Sequence, residues 1–270
     1  LERAIQDYDE AIRLNPQLTE AYNNRGNAYA DLGQYERAIQ DYGEAIRLNP
    51  QYALAYNNRG FGYYNLGQLE RAIQDYGEAI RLNPPYADAY NNRGIAYTYL
   101  GQLERAIQDY DEAIRLNPQL TEAYNNRGFG YSNLGQLERA IQDYDDAIRL
   151  NPQYASAYNN RGFIYDDLGQ YERAIQDYDE AIRLNPQYAN AYNNRGFGYF
   201  NLGQYERAMQ DYDEAIRLNP QYTLAYANRA RTHTMLGMNT EAQQDVERSV
   251  VLGFDRSVLE TEIERLKELR

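Results

Sequence analysis

Residues 19–52 read TEAYNNRGNAYADLGQYERAIQDYGEAIRLNPQY, and this 34-residue unit decides the fold because the chain repeats it. Proline recurs every 34 residues, and so does the run Tyr-Asn-Asn-Arg-Gly, with an altered last copy at Tyr226. Repetition at a period of about 20–50 residues predicts an array of stacked supersecondary units. The recurring prolines are Pro16, Pro50, Pro84, Pro118, Pro152, Pro186 and Pro220, with one extra proline at Pro85, and the intact runs begin at Tyr22, Tyr56, Tyr90, Tyr124, Tyr158 and Tyr192.

Each unit has the pattern of two helices, A and B. In the first unit we predict helix A over about residues 19–32, followed by Gly33, which suits the left-handed position that ends many helices. Helix B is predicted over about residues 35–49, because Pro50 cannot continue a helix. Aromatic and aliphatic residues recur at steps of three and four, which is the spacing of a buried helical stripe.

This pattern resembles the tetratricopeptide repeat (TPR), over roughly residues 1–254. The resemblance implies an all-α fold, a right-handed superhelical solenoid of helix-turn-helix repeats. In such a solenoid the A helices line a concave groove and the B helices form the convex back. The last unit departs most, since His233 stands where the pattern has Tyr. The residues that carry the resemblance in the first unit are Tyr22, Gly26, Tyr29, Ala38, Tyr42, Ala45 and Pro50.

The repeat also divides the chain. We expect residues 1–18 to be the helix B half of a truncated repeat, and the start at Leu1 in mid-pattern indicates a fragment. Residues 255–270 are expected to form a C-terminal capping helix, because a stack needs a polar-faced end, with Ser257 and Glu260 as a capping box. The seven complete units, called units one to seven, are predicted at 19–52, 53–86, 87–120, 121–154, 155–188, 189–222 and 223–254.

Composition narrows the possible functions. The net charge of −13 makes nucleic acid a poor partner, because phosphate binding needs a basic surface. Because the chain has one His and no Cys, the usual nucleophile–base pairs of enzymes and thiolate metal sites are excluded. No apolar run is long enough to span a membrane. We therefore predict no enzymatic activity in these residues, no cofactor and no metal, and we expect a cytoplasmic location, since no signal peptide is visible.

Two rows of asparagine are the first feature that points to a binding surface. In TPR proteins the groove is lined by the second, fifth, sixth, ninth, twelfth and thirteenth places of the unit, a spacing that makes one stripe on a helix. A carboxamide offers one acceptor and two donors, as a peptide bond requires, and the rows are similar to the Asn ladders of O-GlcNAc transferase-type TPRs. Either at least one row faces a ligand, or the Asn side chains only bond across neighbouring helices. The sixth places are Asn24, Asn58, Asn92, Asn126, Asn160, Asn194 and Asn228, and the fifth are Asn23, Asn57, Asn91, Asn125, Asn159 and Asn193.

The other groove places vary between units and are often aromatic. Exposed aromatic residues act as anchors in interfaces, so variation concentrated here fits contact with a partner. Relaxed drift at positions that do not pack explains the variation equally well. The predicted anchors are Phe61, Tyr64, Tyr99, Phe129, Phe163, Phe197 and Phe200.

These observations predict a scaffold that holds an extended protein or peptide in the groove. TPR domains that clamp acidic chaperone tails use Lys and Arg there, whereas Arg231 is the only basic groove residue of this chain. We therefore expect neutral or basic partners and no clamp for acidic tails. Two alternatives stay open: a homo-oligomer formed through the uncapped N-terminal helix, and a non-catalytic substrate-binding arm of a larger enzyme.

Several polar and glycine positions have structural interpretations. An Arg of helix A and an Asp of helix B, such as Arg25 and Asp41, are present in all seven units and predict a semi-buried bridge. Gly43 and Gly77 replace Asp inside helix B and should soften the N-terminal end. The pair Asp166-Asp167 is interpreted as a hydrated acidic rim, and His233 as a core residue.

A glycine also recurs within helix A of units two, four and six. Glycine inside a helix costs about 1 kcal/mol relative to alanine, so the close approach of a neighbouring helix or of a ligand would account for it. Duplication of a two-unit block explains the alternation as well. The residues are Gly62, Gly130 and Gly198.

Overall fold

A computed structural model describes residues 1–270 as sixteen α-helices without strands, and the predicted all-α TPR solenoid is confirmed. The A helices are α2 (Thr19–Asp31), α4 (Ala53–Asn65), α6 (Ala87–Tyr99), α8 (Thr121–Asn133), α10 (Ala155–Asp167), α12 (Ala189–Asn201) and α14 (Thr223–Met235). The B helices are α1 (Glu2–Leu14), α3 (Tyr35–Leu48), α5 (Leu69–Leu82), α7 (Leu103–Leu116), α9 (Leu137–Leu150), α11 (Tyr171–Leu184), α13 (Tyr205–Leu218) and α15 (Asn239–Val251), and α16 (Arg256–Leu269) follows them.

The helix ends follow from the local sequence. Gly33 has a φ of 72°, a conformation that glycine adopts at little cost, and it separates α2 from α3. At the other end of the unit, α3 stops before Asn49-Pro50, since proline has no N–H for a helical hydrogen bond. The side-chain oxygen of Asn49 accepts from the N–H of Gln51 at 3.0 Å and so stabilises the turn into the next unit.

Contacts group the chain into two compact halves, Leu1–Arg139 and Ala140–Arg270. In the first half each helix packs against the next along the chain, and successive A helices also touch, as α2 and α4 do. The second half is built in the same way, for example at α10 and α12. Because every element contacts only near neighbours in sequence, stability depends on the individual units and on the junctions between them.

The core of units one to six is a tyrosine of helix B between small residues, and Val246 takes its place in unit seven. Tyr42 of α3 is buried, with Ala38 and Ala45 of the same helix beside it. A Cβ atom added at Gly26 would lie 2.7 Å from Cε1 of Tyr42, so only glycine leaves room for this ring. The small residues thus let helices A and B approach closely enough to bury it.

The predicted Arg–Asp bridges are present in units one, two, three, five, six and seven. In each, Nε and Nη2 of the Arg donate to the two carboxylate oxygens at 2.6–2.9 Å, the bidentate geometry that Arg prefers. The Asp residues are buried and the Arg residues half-buried. The pairs are Arg25–Asp41, Arg59–Asp75, Arg93–Asp109, Arg161–Asp177, Arg195–Asp211 and Arg229–Asp245.

A second carboxylate joins the bridge where the preceding helix B carries Asp. Nη1 of Arg25 donates to Asp9 of α1 at 2.6 Å, and Nη1 of Arg195 donates to Asp179 of α11 at 2.6 Å. The Arg therefore links three helices and two neighbouring units. Gly43 precedes Arg59 at the same place, and a Cβ atom added there would lie 3.9 Å from Nη1 of Arg59.

The additional glycines within the A helices of units two, four and six, which are Gly62, Gly130 and Gly198, pack against the preceding helix B. A Cβ atom at Gly62 would lie 2.8 Å from Cγ1 of Ile39, and one at Gly198 would lie 3.1 Å from Cγ1 of Ile175. Close helix packing therefore gives these glycines a physical reason, whichever duplication history produced their alternation.

Helix α16 packs where a further A helix would stand, against α14 and α15. Leu259 and Ile263 are buried against α14 and Val246 of α15. The expected capping box at Ser257 and Glu260 was wrong: the cap is Asp255, whose carboxylate accepts from the N–H groups of Ser257 and Val258. Asp255 is the cap because α16 begins at Arg256, two residues earlier than a Ser257 cap requires.

Candidate functional site

The surface of interest is the A-helix face, which we define by the sixth, ninth, twelfth and thirteenth places of the A helices. These places fall on one side of a helix, since they are three, three and one residues apart. In the first unit they are Asn24, Asn27, Ala30 and Asp31.

The fifth-place Asn residues are buried beneath this face. Nδ2 of Asn23 donates to Oδ1 of its neighbour Asn24 at 3.3 Å, and Oδ1 of Asn23 accepts from Asn58 of the next unit at 3.1 Å. The remaining fifth-place side chains, which include four predicted binding residues, are also buried. This row therefore holds neighbouring A helices together and has little surface to offer a ligand. The residues are Asn57, Asn91, Asn125, Asn159 and Asn193.

The sixth-place Asn residues lie at the surface of the same network. Nδ2 donates to the fifth-place Asn of the preceding unit at 3.1–3.2 Å, as at Asn92, Asn126, Asn194 and Asn228. Each amide has two N–H groups, so one such bond leaves a second donor. Asn24 is exposed, Asn58, Asn92, Asn126, Asn160 and Asn194 are half-buried, and Asn228 is buried.

The ninth places carry phenylalanines that project from the A-helix face. Phe61, Phe129, Phe163 and Phe197 each have 41–49% of their surface exposed, and Tyr99 at a thirteenth place has 69%. The twelfth-place aromatics are half-buried: Tyr64 packs edge-on against Tyr99 with ring centroids 5.4 Å apart. Phe200 packs against Tyr205 at 5.5 Å. Exposed aromatic rings in a repeated row are unusual for a surface without a partner.

A cavity of about 410 Å³ opens on the A-helix face of the first half. It exists because the ninth and twelfth places of unit one hold Asn27 and Ala30, which are smaller than the aromatics of later units. Tyr42 of helix B reaches this cavity, and its hydroxyl donates to Oδ1 of Asn27 at 2.8 Å. Phe61 and the carboxylate-bearing Asp31 form further parts of the wall.

A second cavity, of about 240 Å³, lies in the second half beside the C-terminal helix. Its lining includes Arg231, the single basic residue of the A-helix face. Nε and Nη2 of Arg231 donate to Oε2 of Glu262 in α16 at 2.8 and 2.5 Å. Glu262 therefore neutralises the one basic side chain that the A-helix face could offer to an acidic ligand.

Asp166 is not part of a hydrated rim, contrary to the sequence-based interpretation. It is 7% exposed, and its Oδ2 accepts from the hydroxyl of Tyr178 at 2.7 Å. Its Oδ1 has no hydrogen-bond partner and faces Gly198, where an added Cβ atom would lie 3.6 Å away. Burial therefore raises the pKa of Asp166 to about 7. Its neighbour Asp167 is exposed, as expected.

The helix B tyrosines play a part at this face that the repeat pattern did not predict. They are core residues, but in units one, three and five their hydroxyls reach the ninth- or twelfth-place side chain of the same unit. Tyr110, for example, lies 3.0 Å from Oγ1 of Thr98. The available signal was a polar residue at these places in units one, three and five. His233 is buried, as predicted, with Nδ1 3.0 Å from Oδ2 of Asp245.

No group of three or more His, Cys, Asp or Glu side chains is arranged to hold a metal ion. None of the helices combines the length and the apolar composition that crossing a membrane requires.

Comparison with known families agrees with this geometry. One sequence profile of the TPR repeat matches residues 1–33, 26–67, 62–98 and 131–169, which is half of the chain. Two further tetratricopeptide repeat profiles match between residues 87 and 244. The chain belongs to the tetratricopeptide repeat family. Members of this family are protein–protein interaction scaffolds that bind protein or peptide partners and are generally not catalytic.

Solved structures with the same fold are numerous. The APC/C hetero-tetramer Cut9–Hcn1 matches 97% of this chain with a TM-score of 0.79 and 16% identity, and this chain spans 52% of the matched one. A tetratricopeptide repeat protein of Parabacteroides merdae matches 93% of this chain and 98% of its own, with a TM-score of 0.70 and 23% identity. Both similarities concern the fold alone.

A third structure is nearer in sequence over a shorter stretch. YrrB, described as a TPR protein with an unusual peptide-binding site, is 27% identical, with a TM-score of 0.54. The similarity covers 68% of this chain and 95% of YrrB. No curated protein matches the sequence.

Proposed function

We propose that this protein binds an extended polypeptide along its A-helix face, with phenylalanines as side-chain anchors and sixth-place asparagines as partners for the backbone. The observation that carries the proposal is the row of four ninth-place phenylalanines, each nearly half exposed. A partner that buries these rings would remove apolar surface from contact with water, and this removal is the main source of binding energy in interfaces. The rings are Phe61, Phe129, Phe163 and Phe197.

The asparagines supply the polar part of the proposed contact. The carboxamides of Asn92, Asn126 and Asn194 each make one hydrogen bond to the preceding unit, at 3.1–3.2 Å, and their second N–H can donate to a backbone carbonyl of a ligand. The fifth-place row is left out of this role because it is buried. A ligand held by spare amide donors is recognised through its backbone, so this part of the contact tolerates many sequences.

Charge sets the preference of the proposed site. The chain has a net charge of −13, and Glu262 already pairs with Arg231, the only basic residue of the face. An acidic tail would meet carboxylates such as Asp31 and Asp167 without a positive partner. Neutral or basic polypeptides are therefore the proposed ligands. The peptide-binding site in the description of YrrB is consistent with this kind of ligand for a related repeat array.

A peptide-array screen tests this function. We expect neutral and basic peptides to bind and acidic peptides that resemble chaperone C-terminal tails to be absent from the hits. The screen is repeated with Asn126→Ala, after confirming that the variant is folded, since Asn126 also bonds to Asn91. Micromolar affinity for an acidic tail would contradict the charge argument, and unchanged binding by Asn126→Ala would remove the asparagine from the mechanism.

A further inference from the structure

The cavity of about 240 Å³ in the second half of the chain contains a tyrosine hydroxyl that makes no hydrogen bond within the fold. Tyr212 of α13 lines this cavity and is 0% exposed, and its Oη has no hydrogen-bond partner. Thr232 is a neighbour of this hydroxyl, and its own hydroxyl donates to the carbonyl oxygen of Asn228 at 2.9 Å, but it makes no hydrogen bond with Oη of Tyr212. A buried hydroxyl without a partner is costly, and native structures rarely keep one without a reason.

Other units show how the same tyrosine is normally satisfied. Tyr42 donates to Asn27 at 2.8 Å, and Tyr178 donates to Asp166 at 2.7 Å. In unit three Tyr110 pairs with the hydroxyl of Thr98. Unit six instead has phenylalanine at both the ninth and the twelfth place, Phe197 and Phe200, and neither ring can accept a hydrogen bond from Tyr212.

The rest of the lining determines what could fill the cavity. Phe197 and Phe200 provide aromatic walls. At the polar side, Oε2 of Glu262 takes both hydrogen bonds from Arg231, which leaves Oε1 as an acceptor. Nη1 of Arg231 donates to Oδ1 of Asn228 at 2.5 Å. Because Arg231 and Glu262 cancel each other, the cavity has no net charge that would recruit an ionised side chain.

We propose that this cavity is a specificity pocket for the phenol of a tyrosine in the bound polypeptide. A phenol is neutral, its ring fits between the two phenylalanines, and its hydroxyl can accept from Tyr212 and donate to Glu262. The volume of about 240 Å³ suits one side chain, since it is below the roughly 300–1,000 Å³ of sites for drug-sized molecules. The pocket rests on the proposed function, because the polypeptide supplies the tyrosine.

Fragment binding to the intact chain tests the pocket without any polypeptide. p-Cresol is the side-chain analogue of tyrosine, and toluene lacks only its hydroxyl. We expect p-cresol to bind about fivefold more tightly than toluene in an NMR titration, because it pairs a hydroxyl that is otherwise unsatisfied. In Tyr212→Phe we expect toluene binding to remain and the preference for p-cresol to fall to about a third or less of its value.

The chain itself suggests a matched second variant. Phe200→Thr places at unit six the residue that pairs with tyrosine in unit three, so it should satisfy Tyr212 internally and weaken the binding of both fragments. Equal affinities for p-cresol and toluene, an unchanged preference in Tyr212→Phe, or no binding of either fragment would overturn the proposal. None of these results affects polypeptide binding elsewhere on the face, so failure of the pocket and failure of the proposed function are distinguishable.

Discussion

The junctions that follow Asp179 and Asp213 differ from those that follow Gly43 and Gly77 by one carboxylate. At the aspartate junctions an Arg bonds to two Asp residues and ties together two neighbouring units. At the glycine junctions the Arg keeps only the Asp of its own unit, as Arg59 does with Asp75. Both kinds of junction have the same helices, so the same fold is held by unequal contacts. In an array whose stability is a sum over units and junctions, the glycine junctions are the weaker ones.

The largest effect is expected from removing the central Arg. Arg195→Met leaves Asp211 buried without its counter-ion, and breaking such a pair costs about 4 kcal/mol of unfolding free energy. Arg59→Met should cost about 0.5 kcal/mol less, because Arg59 bonds only to Asp75 and its removal breaks no second ion pair with the preceding helix B. Urea denaturation followed by circular dichroism measures both variants. An Arg195→Met protein as stable as the wild type would show that the bridge does not hold the units together.

The next effect depends on pH and concerns Asp166. Its folded pKa of about 7 lies above the ordinary value of 3.8, so the folded state holds the proton more tightly. Tighter proton binding by folded Asp166 contributes to the free energy of unfolding in full below pH 4. This contribution is lost as the pH rises to 7, and the free energy of unfolding then falls by on the order of 3 kcal/mol. At pH 8 the ionised Asp166 should therefore reduce the stability that the aspartate junctions give to its half of the chain. At pH 5, where Asp166 is protonated in the folded state, the difference in stability between the aspartate and the glycine junctions should be larger.

Asp166→Thr measures this contribution, because unit three has Thr98 at the same place. We expect the variant to be more stable than the wild type at pH 8 and to lose most of this difference by pH 4. Asp167→Asn is the control, since Asp167 is exposed. A difference between wild type and Asp166→Thr that does not vary between pH 4 and pH 8 would mean that Asp166 titrates normally.

A smaller effect is expected from converting one kind of junction into the other. Gly43→Asp should raise the unfolding free energy by about 1 kcal/mol, through better helix propensity and a new bond to Arg59. Gly43→Ala gains the propensity without the bond, and Asp179→Gly should lose about as much as Gly43→Asp gains. If Gly43→Asp and Asp179→Gly shift stability in the same direction, the junctions are not equivalent.

The smallest effect is a difference in local opening within the unmodified chain. Amide protons of α3 and α5 should exchange about fivefold faster than those of α11 and α13, which corresponds to about 1 kcal/mol of local stability. Hydrogen exchange with mass-spectrometric readout compares these helices in one sample. Equal protection in the four helices would show that the missing carboxylates at Gly43 and Gly77 do not lower local stability.

The repeat and its helices were predictable because they depend on residues that recur in every unit. The exact 34-residue period, Gly33 and Pro50 determine where helices begin and end, and the Arg–Asp spacing is the same in all seven units. The choice between the two asparagine rows was not predictable. Adjacent residues on a helix point about 100° apart, so only one of two neighbouring Asn rows can face outward, and identical residue types do not indicate which.

The features that distinguish single units depend on pairs of residues. Tyr212 is unpaired because the ninth and twelfth places of its own unit are both phenylalanine, which has no atom to accept its hydrogen bond, and no position considered alone predicts this. Asp166 is buried because its twelfth place lies against Gly198 of the next unit. The sequence offered a hint there, since large aromatics such as Tyr64 and Phe200 occupy the same place, which indicates that the twelfth place has packing neighbours.

The most direct test of the proposed function is the affinity of an array-selected peptide, measured by fluorescence anisotropy. The double variant Phe163→Asn/Phe197→Asn introduces the residue that unit one has at position 27, and Val251→Asn changes an exposed apolar residue of α15 as the control. We predict that the double variant binds at least about tenfold more weakly, since anchor residues each contribute more than about 1 kcal/mol, and that Val251→Asn binds like the wild type. Equal affinities of the double variant and the wild type would contradict the account.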